Sequence, residues 1–177
     1  MGKGAVGKTS LIMKYLHKRA PKEHDPTVED TYKFVFKSKR GDHDFQIIDT
    51  AGEEDYQDML DSWISSASGF ILVFAINDLE SFQSLKTIID RINKNQPENF
   101  PFVVVGNKCD LGLQRKVSVE QGVELAYSLK AYYFETSALT DNNGNVKKAF
   151  EECASWIINK TGGIAGKKKC CRCCSIF

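Results

Sequence analysis

The chain has 177 residues, 42% of them hydrophobic, and it carries 24 basic against 23 acidic residues. That length suits one globular domain with its own core, and the balanced charge gives no overall field that would recruit nucleic acid. The longest apolar run, residues 70–76, is far shorter than the roughly 18 residues that span a bilayer, and the N-terminus has no signal-peptide pattern. We therefore expect a cytosolic globular body and no nucleic-acid partner.

The first residues predict a phosphate-binding loop. Residues 2–9 read GKGAVGKT, which matches G-x-x-x-x-G-K-[ST] directly ahead of a helical pattern. Backbone N–H groups of such a loop converge on phosphate oxygens, and glycine lets the backbone come close. Lys8 is expected to lie along the β- and γ-phosphates, and the Thr9 hydroxyl to ligate Mg²⁺. A glycine-rich loop without chemical meaning is the alternative until further motifs are found. The residues assigned to nucleotide binding here are Gly2, Gly4, Ala5, Val6, Gly7, Lys8, Thr9 and Ser10.

A helix and a hairpin are predicted next. Apolar residues at helical spacing predict a first helix that fades near Arg19, followed by an irregular stretch with two prolines and Thr27 in its middle. Residues 32–39 alternate aromatic or β-branched side chains with lysines, and residues 44–48 supply a second strand. Between them, Gly41 and Asp42 predict the turn of an antiparallel hairpin.

The rest of the chain alternates helices and strands. Helical periodicity is found at residues 56–66, 82–92, from residue 118 onward, and at 146–157. The apolar runs at residues 69–76 and 102–105 are typical of central strands covered on both faces, and residues 132–135 predict another strand. The last helix should pack on the sheet through one apolar face, formed by Val146, Ala149, Phe150, Cys153, Trp156 and Ile157. The alternation predicts an α/β fold with a doubly wound sheet that binds ligands at the carboxyl ends of its strands.

Two residues near the end of the second hairpin strand could serve the phosphates. Asp49 ends an apolar run, where its carboxylate could hold Mg²⁺ through water opposite Thr9. Gly52 could offer an unhindered N–H to a terminal phosphate. The sequence D-T-A-G also makes a good strand-end turn, which is the alternative. Its coincidence with the phosphate loop favours the functional interpretation.

A second motif indicates which base is bound. Asn107 and Lys108 begin the sequence N-K-C-D after a predicted strand. A carboxylate can accept hydrogen bonds from both the ring N–H and the exocyclic amine of guanine, and adenine lacks that donor pair, so Asp110 would select guanine. Ser137 and Ala138 follow the next strand, where they could brace Asp110 and offer a backbone N–H to the guanine oxygen.

With these motifs, the chain resembles the Ras-like small GTPases from Gly2 to about Lys160. Four signatures of that family are present in order: GKGAVGKT, HDPTVEDTY, DTAGEEDY, and NKCD with ETSAL. The segment at residues 24–32 is most similar to the effector loop of the Ras, Rap and Rheb branch. The resemblance implies a P-loop NTPase domain over residues 1–160, with a doubly wound, mostly parallel sheet. It also implies that GTP or GDP is bound together with Mg²⁺.

The resemblance further implies roles for individual residues. Thr27 would sense Mg²⁺ and the γ-phosphate, and residues 49–63 would form the second switch. The implied catalytic residues are Lys8, Thr27, Gly52 and Glu53, the implied metal ligands are Thr9, Thr27 and Asp49, and Asp25 and Leu139 join the nucleotide contacts. Effector proteins, an exchange factor and a GTPase-activating protein are the implied partners, and the protein is expected to be a monomer.

Some positions depart from the family pattern. Glu53 replaces a glutamine, Ala20 an aromatic residue over the guanine edge, His24 a tyrosine and Leu139 a lysine. Because Ala20 removes an edge contact, we expect a lower nucleotide affinity than is usual in the family. Leu139 could still cover the base face, since lysine contributes mainly its apolar stem there. Gly4 is retained where a larger side chain would crowd an incoming arginine finger.

The first strand of the family's sheet is the largest departure. In that fold an apolar strand in the middle of the sheet precedes the phosphate loop, whereas only Met1 precedes Gly2 here. Each large buried residue contributes about 2–5 kcal/mol, while a whole domain is stable by only about 5–15 kcal/mol. We therefore expect a sheet that lacks its first strand, and we expect the natural protein to carry about five to seven further apolar residues before Gly2.

Residues 161–177 are predicted to form a flexible, basic, cysteine-rich lipidation tail. Residues 174–177 read C-S-I-F, a C-a-a-X pattern that begins at Cys174 and whose final phenylalanine favours geranylgeranyl. One lipid anchors only marginally, but residues 167–169 add positive charge, and Cys170, Cys171 and Cys173 offer acylation sites. A zinc knot or a solvated terminus is the alternative, although cysteines so close together cannot easily surround one ion tetrahedrally. The expected location is the cytoplasmic face of a membrane, with the plasma membrane favoured.

Together these motifs predict a membrane-anchored GTP/GDP switch that hydrolyses GTP slowly. A catalytically impaired GTP-binding adaptor is the alternative, because Glu53 and the absent strand could have removed turnover while the effector surface is kept. A third possibility, an ATP-using P-loop enzyme, is disfavoured by Asp110.

Overall fold

The computed structural model describes residues 1–19, 29–50, 57–96, 100–140 and 143–160, with the backbone alone at residues 29 and 57–59. Its strands are β1 (Glu29–Ser38), β2 (Gly41–Thr50), β3 (Phe70–Ala75), β4 (Phe102–Asn107) and β5 (Tyr132–Glu135). Its α-helices are α1 (Lys8–His17), α2 (Gln57–Ser66), α3 (Leu79–Asn95), α4 (Val119–Ser128) and α5 (Asn145–Lys160), and a 3₁₀ segment spans Cys109–Gln114. The predicted α/β alternation is confirmed.

The strands β3, β4 and β5 form a parallel sheet in that order. Successive side chains of β3 point to opposite faces, so Phe70, Leu72 and Phe74 join a core with α2, α3 and α4. Ile71 and Val73 join a second core with α1 and α5. Helices therefore cover both faces, as the continuous apolar runs of β3 and β4 predicted.

The strands β1 and β2 form an antiparallel hairpin along their whole length. Its turn lies earlier than predicted, because Lys39 and Arg40 form it and Gly41 and Asp42 already belong to β2. The Ser38 hydroxyl fixes this turn: it donates to the Gly41 carbonyl at 3.1 Å and accepts from the Arg40 N–H at 3.0 Å. Gly41 has a φ of +116°, a conformation that favours glycine.

In the described part of the chain, the hairpin and the parallel sheet are separate sheets. Met1 lies at the edge of β3, where its ammonium donates to the Ile71 carbonyl and its own carbonyl accepts from the Val73 N–H, each at 2.7 Å. Side chains of both parts nevertheless share one hydrophobic core, in which Ile47 of β2 joins Ile71 of β3. The described sheet is thus partial, as predicted, and side-chain packing holds its two parts together.

Helix α5 packs mostly as its sequence pattern predicted. Its buried side chains include Val146, Ala149, Phe150, Cys153 and Ile157. Trp156, which the pattern placed on the same apolar face, is only half-buried and lies edge-on to Tyr132 of β5. None of the helices in the described ranges combines the length and the apolar character needed to cross a bilayer.

Candidate functional site

The predicted phosphate loop connects Met1 to α1, and two of its glycines are required by close approaches. A Cβ on Gly2 would lie 2.0 Å from the Val73 carbonyl oxygen, and one on Gly7 would lie 2.5 Å from the amide nitrogen of Asn107. Gly7 also has a φ of +95°, which favours glycine. Ala5 adopts a φ of +61° and is therefore strained, while a Cβ at Gly4 would meet open space. The loop is thus held close to both β3 and β4.

Lys8 begins α1 and folds back over the loop. Its ammonium donates to the carbonyls of Gly2 at 2.8 Å and Lys3 at 3.1 Å. The first N–H groups of a helix have no partner within that helix, and they carry the positive end of its dipole. A positive charge therefore lies over a loop that opens a helix, and this arrangement suits a bound anion such as a phosphate.

Thr9 and Asp49 meet at the end of β2. The Thr9 hydroxyl donates to Asp49 Oδ2 at 2.6 Å. Asp49 is only 1% exposed, and its Oδ1 is buried with no hydrogen-bond partner among the described residues. Burial raises the pKa of this carboxyl above its usual range, while the hydrogen bond from Thr9 and the charge of Lys8 act against that rise. The sequence placed these two side chains opposite each other, and the structure brings them into contact.

The arrangement of Thr9 and Asp49 fits Mg²⁺. This cation prefers oxygen ligands, keeps several of its waters, and is commonly held by one or two carboxylates together with phosphates. A buried carboxylate oxygen without a partner is the kind of acceptor that a metal-bound water can satisfy. No group of three or more His, Cys, Asp or Glu side chains in the described ranges is placed to hold a metal ion. Water, phosphate oxygens and Thr27, a predicted ligand outside the described residues, are the expected remaining ligands.

Asn107 links the phosphate loop to the base-reading motif. Its amide nitrogen donates to the Val6 carbonyl at 2.8 Å, and its amide oxygen accepts from the Thr136 hydroxyl at 3.2 Å. Asn107 is buried at the carboxyl end of β4, and Thr136 follows β5. The sequence assigned Asn107 to nucleotide contacts, whereas in this structure its side chain joins two segments of the protein. No local pattern marks that role, because its partners are far away in sequence.

The segments around Asp110 and Ser137 are held together through their backbones. The Cys109 N–H donates to the Thr136 carbonyl at 3.0 Å. The Ser137 hydroxyl accepts from the N–H groups of Leu139 at 3.2 Å and Thr140 at 3.1 Å, which fixes the turn after β5. No hydrogen bond joins the Ser137 hydroxyl to Asp110 within the described chain, although the hydroxyl keeps its own donor, so the brace stays a prediction.

The solvent exposure of the base-reading residues is consistent with a binding site that is open to solvent. The side chain of Asp110 is exposed, Lys108 is half-buried with a φ of +63°, and Ala138 is buried. Leu139 is 72% exposed, so it is available to cover a flat ligand, as its sequence position suggested. An exposed carboxylate beside a rigid backbone can accept two hydrogen bonds from one planar base.

An ion pair that the sequence did not reveal supports this region. The two terminal guanidinium nitrogens of Arg115, Nη1 and Nη2, donate to the Glu135 carboxylate at 2.6 and 2.9 Å, and the Tyr133 hydroxyl donates to the same carboxylate at 3.0 Å. Arg115 also donates to the Val117 carbonyl at 3.1 Å. A two-pronged pair of this kind has a fixed geometry, so it ties the chain after the 3₁₀ segment to the end of β5.

The structure therefore brings Lys8, Thr9 and Asp49 together and joins the phosphate loop to Asn107 and its neighbours. Other predicted residues lie outside the described residues, so their roles stay predictions: Ala20, His24, Asp25, Thr27, Gly52, Glu53, Cys170, Cys171, Cys173 and Cys174.

Comparison with known proteins is consistent with this site. The sequence model of the Ras family matches residues 1–159. The chain is 32% identical over 174 residues to the GTP-binding protein Rheb homolog of Dictyostelium discoideum, covering 97% of this chain and 92% of that protein. It is 33% identical to the Ras-like protein rasB of the same organism, covering 96% and 91% of the two chains. It is 38% identical to the GTP-binding protein Rit1 of Mus musculus over 78% of this chain, and it spans 64% of that protein.

Proposed function

The chain belongs to the Ras family of small GTPases, and on that premise we propose that it is a membrane-anchored switch that binds GTP or GDP with Mg²⁺ and hydrolyses GTP slowly. The observation that carries this proposal is the contact between Thr9 and the buried Asp49, 2.6 Å apart, beside a phosphate loop crossed by Lys8. A magnesium-bound triphosphate requires oxygen groups for the metal and a positive charge for the phosphates. The hydroxyl of Thr9, the buried carboxylate of Asp49 and the ammonium of Lys8 supply these groups at one loop.

Each residue of this site has a separate role in nucleotide binding or hydrolysis. The Lys8 ammonium has three N–H donors, which bind the carbonyls of Gly2 and Lys3 in this structure. When a nucleotide is bound, the same donors can bind the β- and γ-phosphates instead. Mg²⁺, when bound, neutralises charge on the same phosphate oxygens. Thr9 would then offer its oxygen as a ligand, and Asp49 would accept from metal-bound water. Thr27, Gly52 and Glu53 complete the proposal as sensor and catalytic residues.

Single-turnover hydrolysis of bound GTP, with ATP as a competitor for the site, tests this function. We expect slow release of phosphate from GTP and no displacement of GTP by a large excess of ATP. Absence of any hydrolysis at full GTP occupancy would favour the second candidate, a GTP-binding adaptor without turnover. Glu53 is the reason to consider this candidate, because it replaces the glutamine that the family uses in hydrolysis. Displacement of GTP by ATP at comparable concentration would contradict both.

We predict that Asp49→Asn has two effects of opposite sign. The ionised, buried carboxylate destabilises the folded protein at neutral pH, because a raised pKa means that folding disfavours the charged form. Removing that charge should raise the melting temperature of the nucleotide-free protein by roughly 2–4 °C for each kcal/mol regained. The same change should weaken GTP binding about tenfold or more in Mg²⁺, because a charged acceptor is lost.

The matched control for that variant is Asp44→Asn, since Asp44 is an exposed carboxylate on the same strand. It should leave both quantities unchanged. GTP affinity is measured by titration with Mg²⁺ and again with a chelator, and the difference between wild type and variant should vanish without the metal. A lower melting temperature combined with unchanged affinity in Mg²⁺ would refute the metal assignment.

We predict that effectors dock on β1 by adding a strand of their own. In the described part of the chain, β1 pairs only with β2, and the side chains at Asp30 and Thr31 are exposed. Glu29 and Asp30 should steer a basic partner toward this edge. Reversing both charges with Glu29→Lys and Asp30→Lys should slow association with a basic Ras-binding domain by about tenfold at low ionic strength.

Stopped-flow mixing of the GTP-bound protein with that domain measures the effect, and rising salt should reduce it. Glu124→Lys, an exposed charge reversal on α4, is the control and should leave the on-rate unchanged. An unaltered on-rate in the double variant would argue against this docking edge.

We predict that Cys174 carries the lipid that anchors the protein. Cys174→Ser should move the protein into the soluble fraction of the cell, because the prenyl acceptor is lost. Replacing Cys170, Cys171 and Cys173 together should leave weak, reversible membrane binding, because a single lipid and a basic patch anchor less firmly. Fractionation of cells that express each variant measures the outcome. Full membrane retention of the Cys174→Ser protein would show that another element anchors it.

A further inference from the structure

A cavity of about 400 Å³ lies between the start of β5 and the last two turns of α5. None of its lining residues belongs to the phosphate, metal or base-reading sites described above. The residues that α5 contributes, Glu152, Ser155, Trp156 and Asn159, follow one face of the helix at helical spacing. Cavities of roughly 300–1,000 Å³ are typical of small-molecule sites.

Two aromatic rings form a corner in this cavity. The centroids of Tyr132 and Trp156 are 6.5 Å apart, and their planes make an angle of 81°. Tyr132 is 54% exposed and Trp156 is half-buried, so neither ring is enclosed in the core. An organic cation within about 6 Å of such a ring face is attracted by the ring's negative charge distribution. Two nearly perpendicular rings can contact one rounded cation from two sides.

Three polar side chains that α5 contributes to the cavity are available to a ligand. The side chains of Glu152, Ser155 and Asn159 make no hydrogen bond or ion pair with any other described residue. By contrast, Glu151, the next residue toward the N-terminus, pairs with Lys147 at 3.6 Å. Glu152 therefore places a negative charge in the same cavity as the aromatic corner, and this charge adds to the attraction for a cation.

A positively charged residue, Lys130, also lines the cavity. Lys130 occupies a tight turn after α4 with a φ of +53°, and the N–H groups of Lys130 and Ala131 bind the carbonyls of Tyr127 at 3.0 Å and Ala126 at 2.8 Å. The turn fixes the backbone from which its side chain extends. A lysine ammonium has three donors, so Lys130 can bind an anion in addition to its contacts within the chain.

We propose that this cavity binds a phosphocholine group. The trimethylammonium end lies in the corner of Tyr132 and Trp156, next to the Glu152 carboxylate. The phosphate end accepts hydrogen bonds from Lys130, Ser155 and Asn159. A simple cation would meet repulsion from Lys130, and a simple anion would meet repulsion from Glu152, whereas a zwitterion offers an opposite charge to each of them.

Titration of the full-length, GDP-bound protein with phosphocholine tests the proposal by NMR. The chain has two tryptophans, so two indole N–H signals are expected, and Trp63 is buried in the other core. The Trp156 signal should shift to saturation while the Trp63 signal stays in place. The analogue 3,3-dimethylbutyl phosphate has the same shape and keeps the phosphate, but it lacks the positive charge. It should bind about tenfold more weakly, which corresponds to about 1.4 kcal/mol of lost cation attraction.

Variants separate the charge of the cavity from general effects on the helix. Glu152→Gln should weaken phosphocholine binding several-fold, and Glu151→Gln, one residue away and outside the cavity, should leave it unchanged. Trp156→Leu should abolish the saturable response, followed in that variant through the backbone signal of Tyr132. Unchanged thermal unfolding of Glu152→Gln shows that the fold is intact. Equal binding of the analogue that lacks the positive charge, or no saturable shift up to about 20 mM phosphocholine, would overturn the proposal.

The same group occurs in a soluble form and as a lipid headgroup. Vesicles of phosphatidylcholine, which carry no net charge, retain the protein if the lipid form is bound, and Glu152→Gln should release it. A response to soluble phosphocholine without vesicle retention assigns the soluble form. Vesicle retention that does not depend on Glu152 would count against the cavity as the lipid site.

Discussion

Asp110→Asn is expected to lower the affinity for GTP by about 10²- to 10⁴-fold and to make xanthosine triphosphate the preferred ligand. The carboxylate is expected to accept two hydrogen bonds from guanine, each contributing about 1.5–3 kcal/mol because the acceptor is charged. An amide presents a donor in place of one acceptor. Xanthine carries an oxygen where guanine carries the amine, so the altered pair is complementary again.

The position of Asp110 supports this expectation. Its side chain is exposed, while its neighbour Cys109 is fixed to Thr136 by a backbone hydrogen bond of 3.0 Å. The substitution should therefore change recognition without changing the fold. Competition between labelled GTP and each unlabelled nucleotide measures the preference, and Asp90→Asn on the exposed face of α3 is the control. Unchanged preference for guanine would show that another group reads the base.

Glu53→Gln is expected to restore stimulation of GTP hydrolysis by a Ras-type activating protein, by roughly a hundredfold relative to the unmodified chain. The glutamine of the family aligns the attacking water through its carbonyl and donates from its amide to the transferring phosphoryl group. A carboxylate keeps the acceptor, loses the donor, and places negative charge beside oxygens that gather charge. Removing one such donor from a transition state typically costs 10²–10³ in rate.

Intrinsic hydrolysis follows a different expectation. Glu53 can still orient or partly deprotonate water, so the unstimulated rate need not fall. Single-turnover hydrolysis with and without the activating protein separates the two rates, and Glu54→Gln is a control at the adjacent position. Strong stimulation of the unmodified protein, or no gain from Glu53→Gln, would show that the site uses another group.

The order and type of the main elements could be predicted from the sequence because local patterns determine them. Continuous apolar runs marked β3 and β4, and helical spacing marked α3 and α5. The hairpin turn was misplaced because glycine is a strong turn signal, whereas the Ser38 hydroxyl that sets the observed turn has no such signal. The pairing of Thr9 with Asp49 was foreseen from motif chemistry rather than from spacing.

The remaining features depend on contacts between distant segments. Asn107 reads as a base contact in its motif, yet its amide binds the backbone of Val6 and the hydroxyl of Thr136. Arg115 and Glu135 are ordinary charged residues in the sequence, and only the fold brings them together. The cavity beside Trp156 was missed for the same reason, because periodicity assigned that residue wholly to the core. Side chains that join separate elements carry no local pattern.

The separation of the hairpin from the parallel sheet has a consequence for cooperativity. Without ladder hydrogen bonds between them in the described chain, the hairpin unit and the parallel unit are joined through their shared core, and their opening free energies can differ. Asp49 belongs to the hairpin unit, whereas Lys8 and Thr9 lie on α1, whose phosphate loop is bonded to Asn107 in the parallel unit. A magnesium-bound nucleotide would contact both units at once and act as a clamp across the boundary. The ligand would then contribute to the integrity of the domain itself, and emptying the site would loosen the hairpin that carries the predicted effector edge.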